Sequence, residues 1–361
     1  MAGRKKKSEQ GRSLTRFAEA LLRWNATEND RPMPWKGERD PYRIWLSEVI
    51  LQQTRVEQGR AYYERFIRQY PSVERLAAAP EGDVLKLWEG LGYYSRARNL
   101  MAAARRITDD FGGRFPQTLA EIQSLKGVGS YTAAAIASFA YNLPHAVVDG
   151  NVYRVLARIC NYTDPIDSTE GKRWAAEKAQ ELLPEDRAGE YNQALMDFGA
   201  TVCKPLPECA RCFYQSHCGA FQTGRQAELP LKLKKTAVRN RYFHYVVLQH
   251  GDSIALHERG AGDVWQGLWQ PLLIEAEAPL SKEDLLAALQ AEYALSLTDF
   301  DVLSSAAHAQ QRLSHQLIRF AFLHLQLQRP LSLPGFHWVS IPGLERHPYP
   351  KMVGDFLRKN L

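Results

Sequence analysis

Residues 203–218 read CKPLPECARCFYQSHC and hold four of the chain's five cysteines, Cys203, Cys209, Cys212 and Cys218. A hydrophobic core does not demand such crowding, because a lone buried cysteine behaves as a small hydrophobe and core positions scatter along a chain. Four thiols this close, two of them as Cys-x2-Cys, are what a tetrahedral metal ion or an iron–sulfur cluster requires. This stretch is therefore expected to be organised by a metal centre rather than by apolar packing. Four cysteines alone do not separate zinc from [4Fe–4S].

The length of 361 residues accommodates two domains with sizeable cores. A net charge of +6 is compatible with a polyanionic partner without demanding one. No apolar run approaches membrane-spanning length. Arg4, Lys5, Lys6 and Lys7 begin the chain without a hydrophobic segment after them, so residues 1–12 read as a basic disordered tail and not as a secretory leader. Clustered reduced thiols without an export signal point to a reducing, intracellular (cytoplasmic) setting.

From residue 13 to 222 the pattern is helical. Ser13–Asn25, Pro41–Tyr70, Gly82–Leu91, Ser95–Phe111, Thr118–Leu125, Ser130–Tyr141, Val152–Cys160 and Thr169–Leu183 carry helical periodicity between Gly and Pro punctuation. Residues 223–241 are basic and lack apolar periodicity. They read as a linker in which Lys232, Lys234, Lys235, Arg239 and Arg241 are candidate phosphate contacts or a plain solvated connector. Residues 242–361 bring strand-like runs, FHYVVLQH, SIALHER, LIRFAFLHLQL and FHWVSI, with a helix-like stretch Ser281–Tyr293 among them. That composition predicts an α+β domain.

Three segments outside the cysteines carry chemistry. In IWLSEVIL, residues 44–51, six of eight residues are apolar and lie on every face of a helix, which predicts a buried helix with Glu48 at its middle. Desolvation there raises a carboxyl pKa and makes a general acid; the alternative is a glutamate in a structural hydrogen-bond network. In SLKGVGSYTAAAIASFA, a tight Gly127-Val128-Gly129 turn joins two helices. Its glycines permit close backbone approach and its free N–H groups suit a phosphate oxygen, in the manner of a helix-hairpin-helix that grips duplex backbone without reading sequence. In HAVVDGNVYRVLAR, Asp149 is either a helix N-cap or a second catalytic carboxylate. Two carboxyls in unlike environments are equipment for breaking a glycosidic bond.

The order of these pieces, and the stretches PMPWKGERDPYRIWLSEVILQQTRV, LWEGLGYYSRARNL, LKGVGSYTAAAIASFAY, VVDGNVYRVLAR and YNQALMDFGATVC, resemble the helix-hairpin-helix DNA glycosylases that carry an iron–sulfur loop, and within them the MutY family. The resemblance implies a mostly α catalytic region over 13–222 with a [4Fe–4S] cluster, acting on double-stranded DNA with an adenine mispair as a monomer. The implied reaction is excision of adenine opposite 8-oxoguanine or guanine after base flipping. Glu48 matches the residue that protonates adenine N7, Asp149 the carboxylate that stabilises or captures the sugar cation, and Tyr131 and Asn151 residues that support them. Arg31 and Trp35 match residues lining the adenine pocket. Gln53, Thr54, Leu91 and Tyr93 match positions that wedge into the duplex or contact 8-oxoguanine. Tyr131 stands where the bifunctional relatives hold a lysine, so no imine forms and an intact abasic strand is expected. Tyr153 replaces a lysine of some members, which weakens adventitious Schiff-base trapping.

The cysteine spacing here is C-x5-C-x2-C-x5-C, one residue shorter in the first loop than the family's usual C-x6-C-x2-C-x5-C. All four ligands of the cluster remain, and Cys160 is assigned to the core. After the linker, DVWQGLWQPLL and RLSHQLIRF resemble a Nudix-like 8-oxoguanine recognition domain spanning 242–361. Leu313-Ser314-His315 falls at the family's Phe-Ser-His loop, with Ser314 placed for a base edge and His315 for a phosphate. No Arg-Glu-x-x-Glu-Glu run follows Gly267, so the carboxylates for Mg2+ are missing and the domain is expected to recognise rather than hydrolyse.

Overall fold

The computed structural model describes residues 16–233, 238–293, 295 and 298–361. The basic tail, the start of the first predicted helix, Lys234 and Lys235 lie outside the described residues. The chain divides into two compact units, one built from the residues up to Ala78 and from Asn99 to 233, the other from Ala79–Arg98 and the residues after 237.

The first unit is helical. Its elements are α1 (residues 16–27), α2 (Pro41–Leu51), α3 (Val56–Gln69), α4 (Val73–Ala77), the greater part of α6 (Ser95–Phe111), α7 (Leu119–Gln123), α8 (Ser130–Tyr141), α9 (Gly150–Ile159), α10 (Thr169–Leu182), α11 (Ala188–Thr201) and α12 (Gly219–Gln222); α5 (Glu81–Leu87) belongs to the second unit. Local chemistry starts these helices. Asp40 caps α2 with Pro41 in the first turn, Thr118 and Glu121 form a reciprocal capping box on α7, and Ser168 caps α10. The single helix expected over Pro41–Tyr70 is two, because Gln53 takes a left-handed φ of 60° and breaks the run.

The core of this unit joins α1, α9, α10 and α11 through Phe17, Leu21, Trp24, Leu156, Ala179, Tyr191 and Phe198, and Cys203, Cys212 and Cys218 pack against it. Two glycines of α11 let its neighbours approach at backbone distance. A Cβ on Gly189 would lie 2.5 Å from the Ser138 carbonyl oxygen of α8, and one on Gly199 would lie 2.7 Å from Cβ of Asn151 on α9. These approaches pack α11 against the later part of α8 and the first turn of α9.

In the second unit a mixed sheet comprises β1 (Arg239–His250), β2 (Ser253–Glu258), β3 (Trp269–Gln270), β4 (Leu272–Ala276), β5 (Phe300–Arg312), β6 (Gln316–Leu327) and β7 (His337–Ser340). Its order is β3-β2-β1-β6-β5, with β4 also on β1 and β7 on β2; β1 and β6 run parallel. The period-two alternation of β1 explains the layers. Phe243, Tyr245 and Val247 face a core with Val353, Phe356 and Leu357 of α14 (Lys351–Asn360), while Val246 and Leu248 face Leu285 and Leu289 of α13 (Lys282–Tyr293). This is the α+β organisation the strand-like runs predict. Segment 79–98 is tied in by Lys86 Nζ to the His347 carbonyl at 2.9 Å and Arg98 to the Gln266 carbonyl at 2.7 Å.

One expectation about the linker is corrected. Arg241 is a residue of β1, buried, with its guanidinium shared between the carboxylates of Asp263 and Glu275 at 2.6–2.7 Å. Its charge is consumed internally, so it is not offered to a phosphate. Arg239, at the exposed start of the strand, and Lys232 stay at the surface.

Candidate active site

Glu48 lies in mid-α2, a helix whose residues Ile44–Ile50 are all buried. Only 7% of its surface is exposed. Burial pushes its carboxyl up to about 7, the charge of Asp149 adds to the rise, and a hydrogen bond from Tyr131 opposes it. That bond, Tyr131 Oη to Glu48 Oε2, is 2.7 Å. Tyr131 is the second residue of α8, directly behind the glycine turn. Burial and the two nearby carboxylates hold its phenol well above the ordinary value, so it donates to Glu48 and stays neutral.

Asp149 is the helix N-cap that the sequence allowed for, and it also borders the cleft that Glu48 lines. Its Oδ1 accepts the Val152 N–H at 2.7 Å as the N-cap of α9, and its Oδ2 accepts from Asn151 Nδ2 at 2.7 Å. Burial raises its carboxyl, while these donors and Arg154 counter the rise. Arg154 continues the chain of bonds: it donates to Asn151 Oδ1 at 2.8 Å, to the Gly199 carbonyl at 2.7 Å and to the Cys203 carbonyl at 2.8 Å. One helix therefore links the carboxylate at its N-terminus to the first cysteine of the loop.

Glu48, Tyr131, Asp149 and Asn151 line one cleft of about 390 Å³, with Arg31, Gln53, Thr54 and Tyr153 around it. Trp35 lines an adjoining cavity of about 200 Å³ that Glu48 also borders. Glu48 thus borders both cavities. Sequence reading missed Gln193 and Met196, which line the same cleft, and Asp197, which holds Arg31 through Oδ1 at 2.8 Å. The stretch YNQALMDFGATVC was the available signal: Gln193 and Asp197 are four apart and so share one face of α11.

At the hairpin, Gly127 has φ +78°, and a Cβ there would meet Asn99 Cβ at 2.6 Å. Val128 is buried and its N–H closes on the Leu125 carbonyl. Gly129 is the N-cap of α8 and supplies no side chain to the helix's first N–H groups, which leaves them for an outside acceptor.

The second unit has its own cleft, of about 460 Å³, between segment 90–98 and the turn 311–316. Here Tyr93 Oη and Ser314 Oγ are 2.6 Å apart, joining two positions that lie 221 residues apart in the chain. Tyr93 is 46% exposed with φ 48°, whereas Leu91 is 8% exposed. Of that pair only the tyrosine offers surface. Ser314 and His315 are exposed at the turn.

All four loop cysteines are half-buried and outside any disulfide. Burial and the neighbouring thiols raise Cys209 and Cys218, and raise Cys212 to about 12. Such a set resists ionisation on its own and is relieved by a bound cation, so the donors fit a thiolate-ligated group. Buried Arg158 anchors the loop, donating to the carbonyls of Cys203, Lys204, Pro205 and Leu229. Among the described residues no three His, Cys, Asp or Glu side chains close to the spacing of a single metal ion. Cys160 is half-buried at the C-cap of α9, its thiol pushed up to about 11 by burial.

Residues 46–185 match the HhH-GPD superfamily of base excision DNA repair proteins. The adenine DNA glycosylase of Buchnera aphidicola subsp. Baizongia pistaciae is 34% identical over 255 residues, covering 70% of this chain and 72% of the relative. That of Mus musculus is 42% identical over 226 residues, covering 60% of this chain and 44% of the longer mouse protein. A thermostable thymine-DNA glycosylase superposes with TM-score 0.55 at 30% identity, over 59% of this chain and 99% of its own. No helix among the described residues is long and apolar enough to cross a membrane. The helical unit, the glycine hairpin and the extent of these matches place the chain in the adenine DNA glycosylase family, DNA glycosylases of base excision repair.

Proposed function

We propose that this enzyme removes adenine mispaired with 8-oxoguanine or guanine from duplex DNA and leaves an abasic site. The observation that carries the reading is Glu48, a buried carboxyl held near neutral pKa by burial and bonded by Tyr131, in one cleft with Asp149. The flipped adenosine enters the cleft, and Glu48 gives its proton to N7. The C1′–N9 bond breaks with its electron pair going to the base. Asp149 faces the sugar cation as its anion, kept in place by Val152 N–H and Asn151. Water then adds to C1′ and loses a proton. No amine stands at Tyr131 to form an imine, so the strand stays intact.

The hairpin at Gly127-Val128-Gly129 grips a phosphate, with Gln53 and Thr54 at the duplex. Tyr93, Ser314 and His315 read the base opposite the adenine; their shared cleft in the second unit supports this. That unit is assigned as a Nudix-like recognition domain. Cys203, Cys209, Cys212 and Cys218 would hold a [4Fe–4S] cluster, which when bound supplies a structural anchor for the loop. The protein acts as an intracellular monomer.

A single-turnover assay on a duplex with one adenine opposite 8-oxoguanine, worked up with and without alkali, tests the reading. Cleavage only after alkali is expected. Cleavage without alkali would refute the monofunctional assignment, and no cleavage under either work-up would refute the substrate.

A further inference from the structure

Asp197 is a carboxylate with no exposed surface, in the middle of α11 and outside the reacting groups described above. Three of the four side chains that meet its carboxylate, Arg31, Lys36 and Gln193, come from the wall of the candidate active site. Its Oδ1 accepts from Arg31 at 2.8 Å and from Gln193 Nε2 at 2.9 Å. Its Oδ2 accepts from Asn29 Nδ2 at 2.8 Å and lies 3.4 Å from Lys36 Nζ. Asn29 in turn accepts the backbone N–H of Arg31 at 3.2 Å. Arg31 and Gln193 line the cleft that holds Glu48 and Asp149, and Lys36 and Gln193 line the cavity on the other side of Glu48.

The charge balance is informative. One buried anion faces two cations that are only 23% and 32% exposed. A fold seeking stability alone gains little from such a cluster, since burying charges costs more than a good apolar packing would return. Its effect is geometric: it removes the rotamer freedom of Arg31, Lys36 and Gln193 at once and fixes the irregular segment 29–36 against a helix.

We propose that Asp197 is the positioning residue of the base pocket, holding Arg31 and Gln193 so that an entering base presents its acceptor nitrogen to Glu48. This rests on the base-excision reading above, and the wild-type assay settles that reading separately. The test is a double-mutant cycle of Asp197→Asn and Arg31→Met, read as the single-turnover excision rate constant and, independently, as DNA affinity. Asp197→Asn is expected to slow excision by about tenfold to a hundredfold, the scale of a misplaced near-attack geometry, with DNA affinity changed by less than about threefold. The double variant should be no slower than the slower single variant, because both remove one arrangement. Losses that multiply would overturn the proposal, as would a lowered melting temperature with an unchanged excision rate. If Asp197→Asn does not fold, Asn29→Ala with Arg31→Met poses the same question through the carboxylate's other donor: coupled losses support the hub, and multiplying losses or an undiminished rate refute it. Failure of wild-type protein to excise would strike the base-excision reading instead.

Discussion

Replacing Glu48 by glutamine should abolish excision and at the same time stabilise the protein, by an amount that grows with pH. The reasoning starts from burial. The carboxyl is 7% exposed and pushed from an ordinary 4.5 to about 7. The native state therefore binds a proton that the unfolded chain has already released between those two values, and stability falls as pH rises through this window. At 1.36 kcal/mol per pH unit the full penalty is ~3 kcal/mol, reached only above the folded pKa. Glutamine carries no charge to desolvate, and its amide oxygen still accepts the Tyr131 hydroxyl that now bonds Oε2 at 2.7 Å. Thermal melts of both proteins should differ by under about 1 kcal/mol near pH 5, and the gap should widen by about 2–3 kcal/mol toward pH 8.5. In the helical unit this amounts to roughly 5–10 °C. Both proteins share the cysteine loop, so its contribution cancels in the difference. A gap that stays constant or narrows with rising pH would refute a buried, proton-holding Glu48. An active Glu48→Gln protein would refute its role as the acid.

Excision by the wild-type enzyme should fall as pH rises through about 7, where Glu48 loses the proton it must donate, and also toward acid, where Asp149, raised above its ordinary value, becomes neutral; a rate that does not fall between about pH 7 and 9 would contradict the role of Glu48, and a rate with no acid limb would contradict that of Asp149. Tyr131→Phe removes a donor that favours ionised Glu48, so the alkaline limb of that profile should move to higher pH, and a downward move would refute the assigned bond. Purified protein should be brown, with iron and acid-labile sulfide in equal amounts, and Cys212→Ala should lose colour and stability together; a colourless zinc protein would overturn the cluster. Gly127→Ala forces a Cβ to 2.6 Å from Asn99 at φ +78°, a strain of at least about 1–2 kcal/mol, and should weaken DNA binding with little change in the excision rate at saturating enzyme. Undiminished affinity would remove the hairpin from the DNA interface.

What could be read in advance was chemistry that is out of place locally. A glutamate inside IWLSEVIL and an aspartate ahead of a glycine and a helix are visible without neighbours, because an apolar run predicts burial and burial predicts a shifted carboxyl. Features set by partners far along the chain were not visible. Asp197 is an unremarked acid in a helix until Arg31, 166 positions away, is seen against it. Arg241 reads as one more linker cation because RNRY carries no apolar signal, and only Glu275, 34 residues on, and Asp263 turn it inward. The break between α2 and α3 sits in QQTR, which has neither glycine nor proline to announce Gln53's left-handed turn. Strand β5, FDVLSSAAHAQQR, lacks clean alternation and exists through its eleven-fold pairing to β6, in which bulges at Val302/Ser304 and Ala307/Ala309 absorb the irregular pattern. The same distinction applies inside the active site. The two carboxyls proposed to react are each held by neighbours in sequence or by one long-range bond, whereas the wall that would orient the base depends on α11 meeting segment 29–36. A buried carboxyl with a shifted pKa can thus be found by local oddity. Residues that aim the substrate need the tertiary contact, because their side chains look ordinary until the surface they hold in place is known.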